Sequence, residues 1–108
     1  MTERTLVTGA SGWLGNRLCQ TLGEQGRDIR AMVIPSHIDH PDILSLQKHL
    51  PENSSLEVTV GDVTDPESLD EVCRDIDTIF HTVGVIHPRN AKTFYTINTE
   101  GTRNTVEA

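Results

Sequence analysis

The sequence predicts an α/β chain built on a parallel sheet, and three observations carry that expectation. Short apolar, β-branched runs alternate with longer stretches of helical periodicity, the pattern of successive βαβ units. The first apolar run ends in a glycine-dense turn that opens straight into a helical pattern. Neither an internal repeat nor a low-complexity segment interrupts the alternation across 108 residues, the length of one domain at most.

Each element has a local reason. Thr5-Leu6-Val7-Thr8 is short and β-branched and reads as a strand. Leu14, Leu18 and Leu22 recur every four residues and predict a helix from about Gly12 to Glu24, which Gly23 and Gly26 allow to stop. Residues 29–34 form a second strand ended by Pro35, and residues 35–40 a polar loop. Ile43, Leu44, Leu46 and Leu50 suggest a short helix ending near Pro51. Leu56, Val58 and Val60 alternate with polar residues, the mark of a half-buried or edge strand. Asp65-Pro66 is a helix start with an N-cap carboxylate and proline at the first helical position. Leu69, Val72, Cys73 and Ile76 mark the apolar face that follows. Residues 78–83 make a fourth strand, and a last helix runs from about Lys92 to the end.

The alternating third strand suits a sheet edge in the order 3-2-1-4. The expected fold class is therefore α/β: a Rossmann-like, doubly wound parallel sheet. The complete form of that fold has six strands, so about four strands make a truncated version. Residues 1–108 are therefore expected to be the front part of a larger domain.

Composition excludes some functions. Nine Lys and Arg against sixteen Asp and Glu give a net charge of −7. That balance argues against binding nucleic acid or an anionic membrane through a general field. The two cysteines, Cys19 and Cys73, have neither disulfide nor zinc spacing. His37 and His40 flank Asp39, but two histidines in a loop make a weak ligand set, and no metal site is expected. No stretch reads as a signal peptide or a membrane span, so a cytoplasmic protein is expected.

The stretch TGASGWLG, residues 8–15, carries the chemistry. A pyrophosphate needs close approach to backbone N–H groups and a favourable local potential. A helix N-terminus offers both, because its first N–H groups are unpaired and its dipole end is positive. Gly9 permits the tight turn after the strand, Gly12 lets phosphate come close, and Gly15 lets the helix pack on the sheet. The N–H groups of Trp13 and Leu14 are those expected to face phosphate, with Ser11 in the same turn.

Four blocks of sequence now give a resemblance. TGASGWLG is a G-x-x-G-x-x-G turn. GDVTDPESL spans residues 61–69, IFHTVG residues 79–84 and INTEGTRN residues 97–104. In order and spacing these resemble the N-terminal part of an extended short-chain dehydrogenase/reductase, in the NAD-dependent epimerase/dehydratase group. The family has Phe or Tyr where Trp13 stands, and usually Ala where Val83 stands. The resemblance implies that Asp62 and the Val63 N–H receive adenine. It also implies that Thr82, Val83 and Gly84 line the middle of the dinucleotide and that Asn98 lies near it. His81 is expected to be a packed strand-end residue.

The family's spacing puts the acid that binds the NAD ribose at Val33, with Ile34 next, and neither carries charge. No arginine replaces it, while Ser36 and His37 are placed to meet a phosphate. The cofactor expected is thus NAD or NADP, with a slight lean to NADP. The family's Tyr-x-x-x-Lys pair is missing: Tyr95, the only tyrosine, is followed four residues on by Thr99. No catalytic residue is assigned.

The function implied is the NAD(P)-binding portion of an epimerase, dehydratase or reductase. It would act on a sugar nucleotide or a small carbonyl or alcohol substrate by hydride transfer. The alternatives are a non-catalytic dinucleotide sensor on the same fold and an inactive truncated fragment. The expected partners are the dinucleotide and, for a full-length protein, a small-molecule substrate, with a homodimer as an option.

Overall fold

A computed structural model describes residues 3–50, 55–83 and 100–108. Four parallel strands form one sheet: β1 (Arg4–Thr8), β2 (Asp28–Val33), β3 (Ser55–Val60) and β4 (Thr78–His81), in the order β3-β2-β1-β4. The register pairs Leu6 with Arg30 and Ile79, and Met32 with Thr59. This is the 3-2-1-4 order expected from the alternating third strand, which does lie at an edge. Helices α1 (Trp13–Glu24), α2 (Pro41–His49), α3 (Pro66–Val72) and α4 (Gly101–Glu107) complete the described elements.

Side chains alternate across the sheet, so each strand feeds two cores. Val7, Ile29, Ala31 and Val33 face α1 and α2, packing with Cys19, Leu22, Ile43 and Leu46. Leu6 and Met32 face the other way and pack with Val63, Leu69 and Val72 around α3. The chain therefore covers one face first and then crosses to the other between β3 and β4. The reversal falls beside β1, between β1 and β4.

The helix faces follow physical periodicity more closely than the leucine spacing did. In α1 the buried positions are Gly15, Cys19, Leu22 and Gly23, while Leu14 is 52% exposed. Four-residue steps drift around a 3.6-residue helix, putting Leu14 about 80° away from Leu22. Burial pushes the Cys19 thiol up to about 12, as befits a core residue. The segment expected as a plain polar loop holds a 3₁₀ turn at Pro35–His37, and the His40 ring accepts from the Asp42 N–H to cap α2. Asp65 caps α3 as expected, accepting from the Glu67 N–H at 3.2 Å. That helix stops at Val72, so Ile76 packs from beyond its end.

Arg30 is the exception in a buried strand. Its Nη1 donates to the carbonyls of Val72 (2.7 Å) and Arg74 (2.8 Å), at the C-terminal end of α3, and its Nε to Glu57 (3.2 Å). A cation there satisfies carbonyls the helix leaves open and suits the dipole. Replacing Arg30 with Met is expected to cost about 2–3 kcal/mol, since charged hydrogen bonds are lost and buried acceptors left unpaired. Glu57→Gln should cost less than about 1 kcal/mol, because Glu57 is largely exposed. Urea unfolding of the two variants checks the contrast.

Candidate functional site

The parallel strands all end on one side, and there the β1–α1 turn, the end of β2, the β3–α3 loop and the end of β4 enclose a cleft of about 450 Å³. In open α/β sheets, ligands bind outside the carboxyl ends of the strands, where the strand order reverses. The cleft occupies that position.

The glycine turn forms its floor. Gly9 has φ +67°, a left-handed conformation that only glycine adopts without strain. A Cβ at Gly9 would lie 2.8 Å from the Thr82 Oγ1. A Cβ at Gly15 would lie 2.2 Å from the Gly9 carbonyl oxygen, so only glycine lets α1 start so close to the turn. Gly12 is the N-cap of α1, in an extended conformation, and its own N–H is bonded to Gly9. Having no side chain, it caps none of the N–H groups that follow, so those of Trp13 and Leu14 lack a side-chain acceptor. That is the donor set a pyrophosphate requires.

Across the cleft, the Ser11 hydroxyl and His37 Nδ1 lie 2.8 Å apart, tying the glycine turn to the loop after β2. Ile34 is 41% exposed at this end. Asp62 opens the β3–α3 loop. Its Oδ1 accepts from both the N–H (2.9 Å) and the hydroxyl (2.7 Å) of Thr64, and its N–H donates to Ser68. The carboxylate is thus held by an Asx-type turn with its second oxygen outside that turn. The side chain of Asn104, from α4, donates to the Val63 carbonyl at 2.9 Å and steadies the same loop.

At the end of β4, Thr82 is bound to β1 twice. Its N–H donates to Thr8 Oγ1 (3.1 Å) and its hydroxyl to the Thr8 carbonyl (2.5 Å). Thr8 Oγ1 also lies 2.8 Å from His81 Nδ1, and His81 Nε2 lies 3.1 Å from the Thr102 hydroxyl. Burial holds the His81 pKa below the usual histidine value.

Of the residues singled out from sequence, Gly9, Ser11, Gly12, Ile34, Asp62, Val63, Thr82 and Val83 line this one cleft. Gly15 is buried behind it. Trp13, 86% exposed, and Leu14 point their side chains elsewhere, leaving their backbone as the relevant part. Gly84, Asn98 and Tyr95 lie outside the described residues. Met32 and Thr64 also line the cleft and had not been singled out. Met32 sits in a run that reads only as core. Thr64 belongs to the GDVTDPESL block, and its place two residues after an aspartate is the available sign of an Asx turn.

Comparison with known proteins agrees with this fold. Residues 6–108 match the model of the 3-beta hydroxysteroid dehydrogenase/isomerase family. A 3-beta-hydroxysteroid dehydrogenase of Mycolicibacterium neoaurum is 34% identical over 97% of the chain and 28% of its own length. A ceramide reductase of Caulobacter vibrioides is 30% identical over 94% of the chain and 29% of its own length. The chain thus spans less than a third of these curated relatives. Among solved structures, an NAD+-bound xylitol dehydrogenase superposes with a TM-score of 0.78 at 25% identity, over 98% of the chain and 46% of that protein.

Proposed function

The chain belongs to the 3-beta hydroxysteroid dehydrogenase/isomerase family, and from that premise we propose that it forms the coenzyme-binding front of an NAD(P)-dependent oxidoreductase. The observation that carries this reading is the cleft at the strand-order reversal, floored by a turn in which Gly9 and Gly15 leave no room for a side chain. The pyrophosphate rests on the N–H groups of Trp13 and Leu14. Adenine lies against Asp62 and Val63, its ribose near Ile34. The middle of the dinucleotide runs past Thr82 and Val83; Gly84 and Asn98, which the resemblance assigns to the same path, lie outside the described residues.

When bound, the coenzyme exchanges a hydride with a carbon bearing a hydroxyl or oxo group. The residues of this chain bind and orient it; none is assigned as the acid or base for the accompanying proton. The names of the relatives, a hydroxysteroid dehydrogenase and a ceramide reductase, support an apolar alcohol or ketone as substrate over a sugar nucleotide. Residues 1–108 are the front of a dinucleotide-binding domain in this reading, with the Tyr-x-x-x-Lys pair and substrate-binding part supplied further along a longer chain. Membership of a family of dehydrogenases favours the enzyme over a non-catalytic sensor. Among the described residues, no helix is long and apolar enough to cross a membrane.

NADP is the coenzyme preferred in this proposal. No carboxylate at Val33 or Ile34 repels a 2′-phosphate, and His37, linked to Ser11, stands on the cleft wall next to the expected ribose. Trp13 is the only tryptophan and sits at the first turn of α1, so quenching of its fluorescence reports titration with NADPH or NADH. His37→Ala is expected to weaken NADPH about tenfold, the scale of one charged hydrogen bond, and to change NADH less than about threefold. Equal losses for the two coenzymes would remove His37 from the phosphate.

A further inference from the structure

His81 has no place in the proposed coenzyme contacts, yet it sits at the end of β4, between the end of β1 and α4, and both strands lead into the loops that frame the cleft. The pivotal group is the Thr8 hydroxyl, fully buried at the end of β1. It must accept the Thr82 N–H, because an N–H can only donate. Its single proton is then free to go to His81 Nδ1, 2.8 Å away. A histidine that accepts at Nδ1 carries its proton on Nε2, and Nε2 faces the Thr102 hydroxyl of α4 at 3.1 Å. Every distance in the chain fits one tautomer of a neutral ring.

We propose that His81 is a positioning residue for the coenzyme cleft: in the neutral Nε2–H form it takes the Thr8 proton, so that the Thr8 oxygen holds the Thr82 N–H and sets the end of β4 against the glycine turn. The consequence reaches the floor of the cleft directly. Thr82 Oγ1 lies 2.5 Å from the Thr8 carbonyl, at the spot where a Cβ on Gly9 or Gly15 would strike it. Thr82 is therefore the side chain around which the turn is folded.

Protonation reverses the arrangement. An imidazolium presents N–H at both nitrogens, so Nδ1 stops accepting. The Thr8 hydroxyl loses its acceptor in a buried site, and its oxygen must receive two donors at once. Among the described residues, the groups that face His81 from β1 and α4 are the hydroxyls of Thr8 and Thr102, which do not titrate in this range, and no charged side chain is a cause of its shift. Burial alone disfavours the charged ring, in keeping with a site built for the neutral form.

The sign follows. The neutral ring is the binding-competent one, so coenzyme affinity is complete above the His81 pKa and declines as pH falls through it. By linkage, bound coenzyme must lower the His81 pKa further.

This inference rests on the coenzyme reading of the cleft, and one experiment separates the two. The imidazole ¹⁵N and ¹H signals of His81 are followed from pH 8 to pH 5 in the wild-type protein, with and without saturating NADH. NADH is the probe because it lacks the 2′-phosphate proposed for His37, which together with Asp62 supplies the titratable side chains among the described residues of the cleft wall. The expected spectrum at high pH is the Nε2–H tautomer. NADH is expected to lower the titration midpoint, and its Kd to rise about five- to tenfold between pH 7.5 and 5.5. His81→Asn, whose amide oxygen can accept the Thr8 proton at any pH, should bind NADH within about threefold of wild type at pH 7.5. It should also lose most of the pH dependence. An Nδ1–H tautomer, or NADH binding with an unmoved midpoint, overturns the positioning role alone. A folded protein that binds no NADH at any pH overturns the coenzyme reading and this inference together.

Discussion

Gly15→Ala is expected to destabilise the protein by about 3 kcal/mol or more, the upper range for forcing atoms into a packed site. The added methyl would lie 2.2 Å from the Gly9 carbonyl oxygen, 2.7 Å from the Gly9 carbonyl carbon and 2.8 Å from Thr82 Oγ1. The first two are backbone atoms of a turn already committed to φ +67°, so they cannot step aside as a side chain can. Relief requires either α1 or the glycine turn to move, and both frame the cleft. Gly23→Ala is the matched control on the same helix. Its methyl would meet Leu50 Cδ2 at 2.4 Å, the far end of a flexible side chain. Alanine also gains up to about 1 kcal/mol of helix propensity there, so the net change should stay within about 1 kcal/mol. Chemical unfolding curves separate the two. Equal stability of Gly15→Ala and wild type would mean that the turn is not packed on the helix as described.

Gly12→Val produces the opposite pattern: a folded protein that has lost its coenzyme. Gly12 is in an extended conformation that valine accepts, and among the described residues beyond its chain neighbours the one atom within 4 Å of its added Cβ is the Gly9 oxygen at 3.3 Å. The fold therefore gives by a few tenths of an ångström, and loss of a glycine N-cap adds roughly 1 kcal/mol at most. The cleft is affected more strongly. Valine's branches stand between incoming phosphate and the N–H groups of Trp13 and Leu14. Losing two hydrogen bonds to a charged group, each about 1.5–3 kcal/mol, predicts a fall in affinity of at least about 100-fold. Trp13 fluorescence and circular dichroism on the same samples distinguish lost binding from lost fold.

What the sequence disclosed was mostly local or periodic. The Asp65-Pro66 start of α3 needs only neighbouring residues, and the structure places the cap there. The strict alternation of Leu56, Val58 and Val60 marked β3 as an edge strand and so gave the sheet order. The glycine turn could be read because each glycine answers a different steric demand within seven residues. The rest depended on partners far away in the chain. Arg30 looks like an intrusion in an apolar strand until the carbonyls of Val72 and Arg74, 42 and 44 residues on, come into range. The Ser11–His37 link spans 26 residues, and the Thr8–His81 link 73. The leucine stripe of α1 was misplaced for a geometric reason: i, i+4 spacing alone does not hold one face. The expected cofactor contacts at Gly84 and Asn98, and the start of the last helix, fall outside the described residues.

The central claim is that the turn at residues 9–15 binds the pyrophosphate of a nicotinamide dinucleotide. Its most direct test is calorimetric titration of the wild-type protein and Gly12→Val with NADPH and with NADH. The account predicts saturable binding by wild type, tighter for NADPH, and none measurable by a folded Gly12→Val. Equal binding by wild type and folded Gly12→Val, or no binding of either coenzyme by a folded wild type, would contradict it.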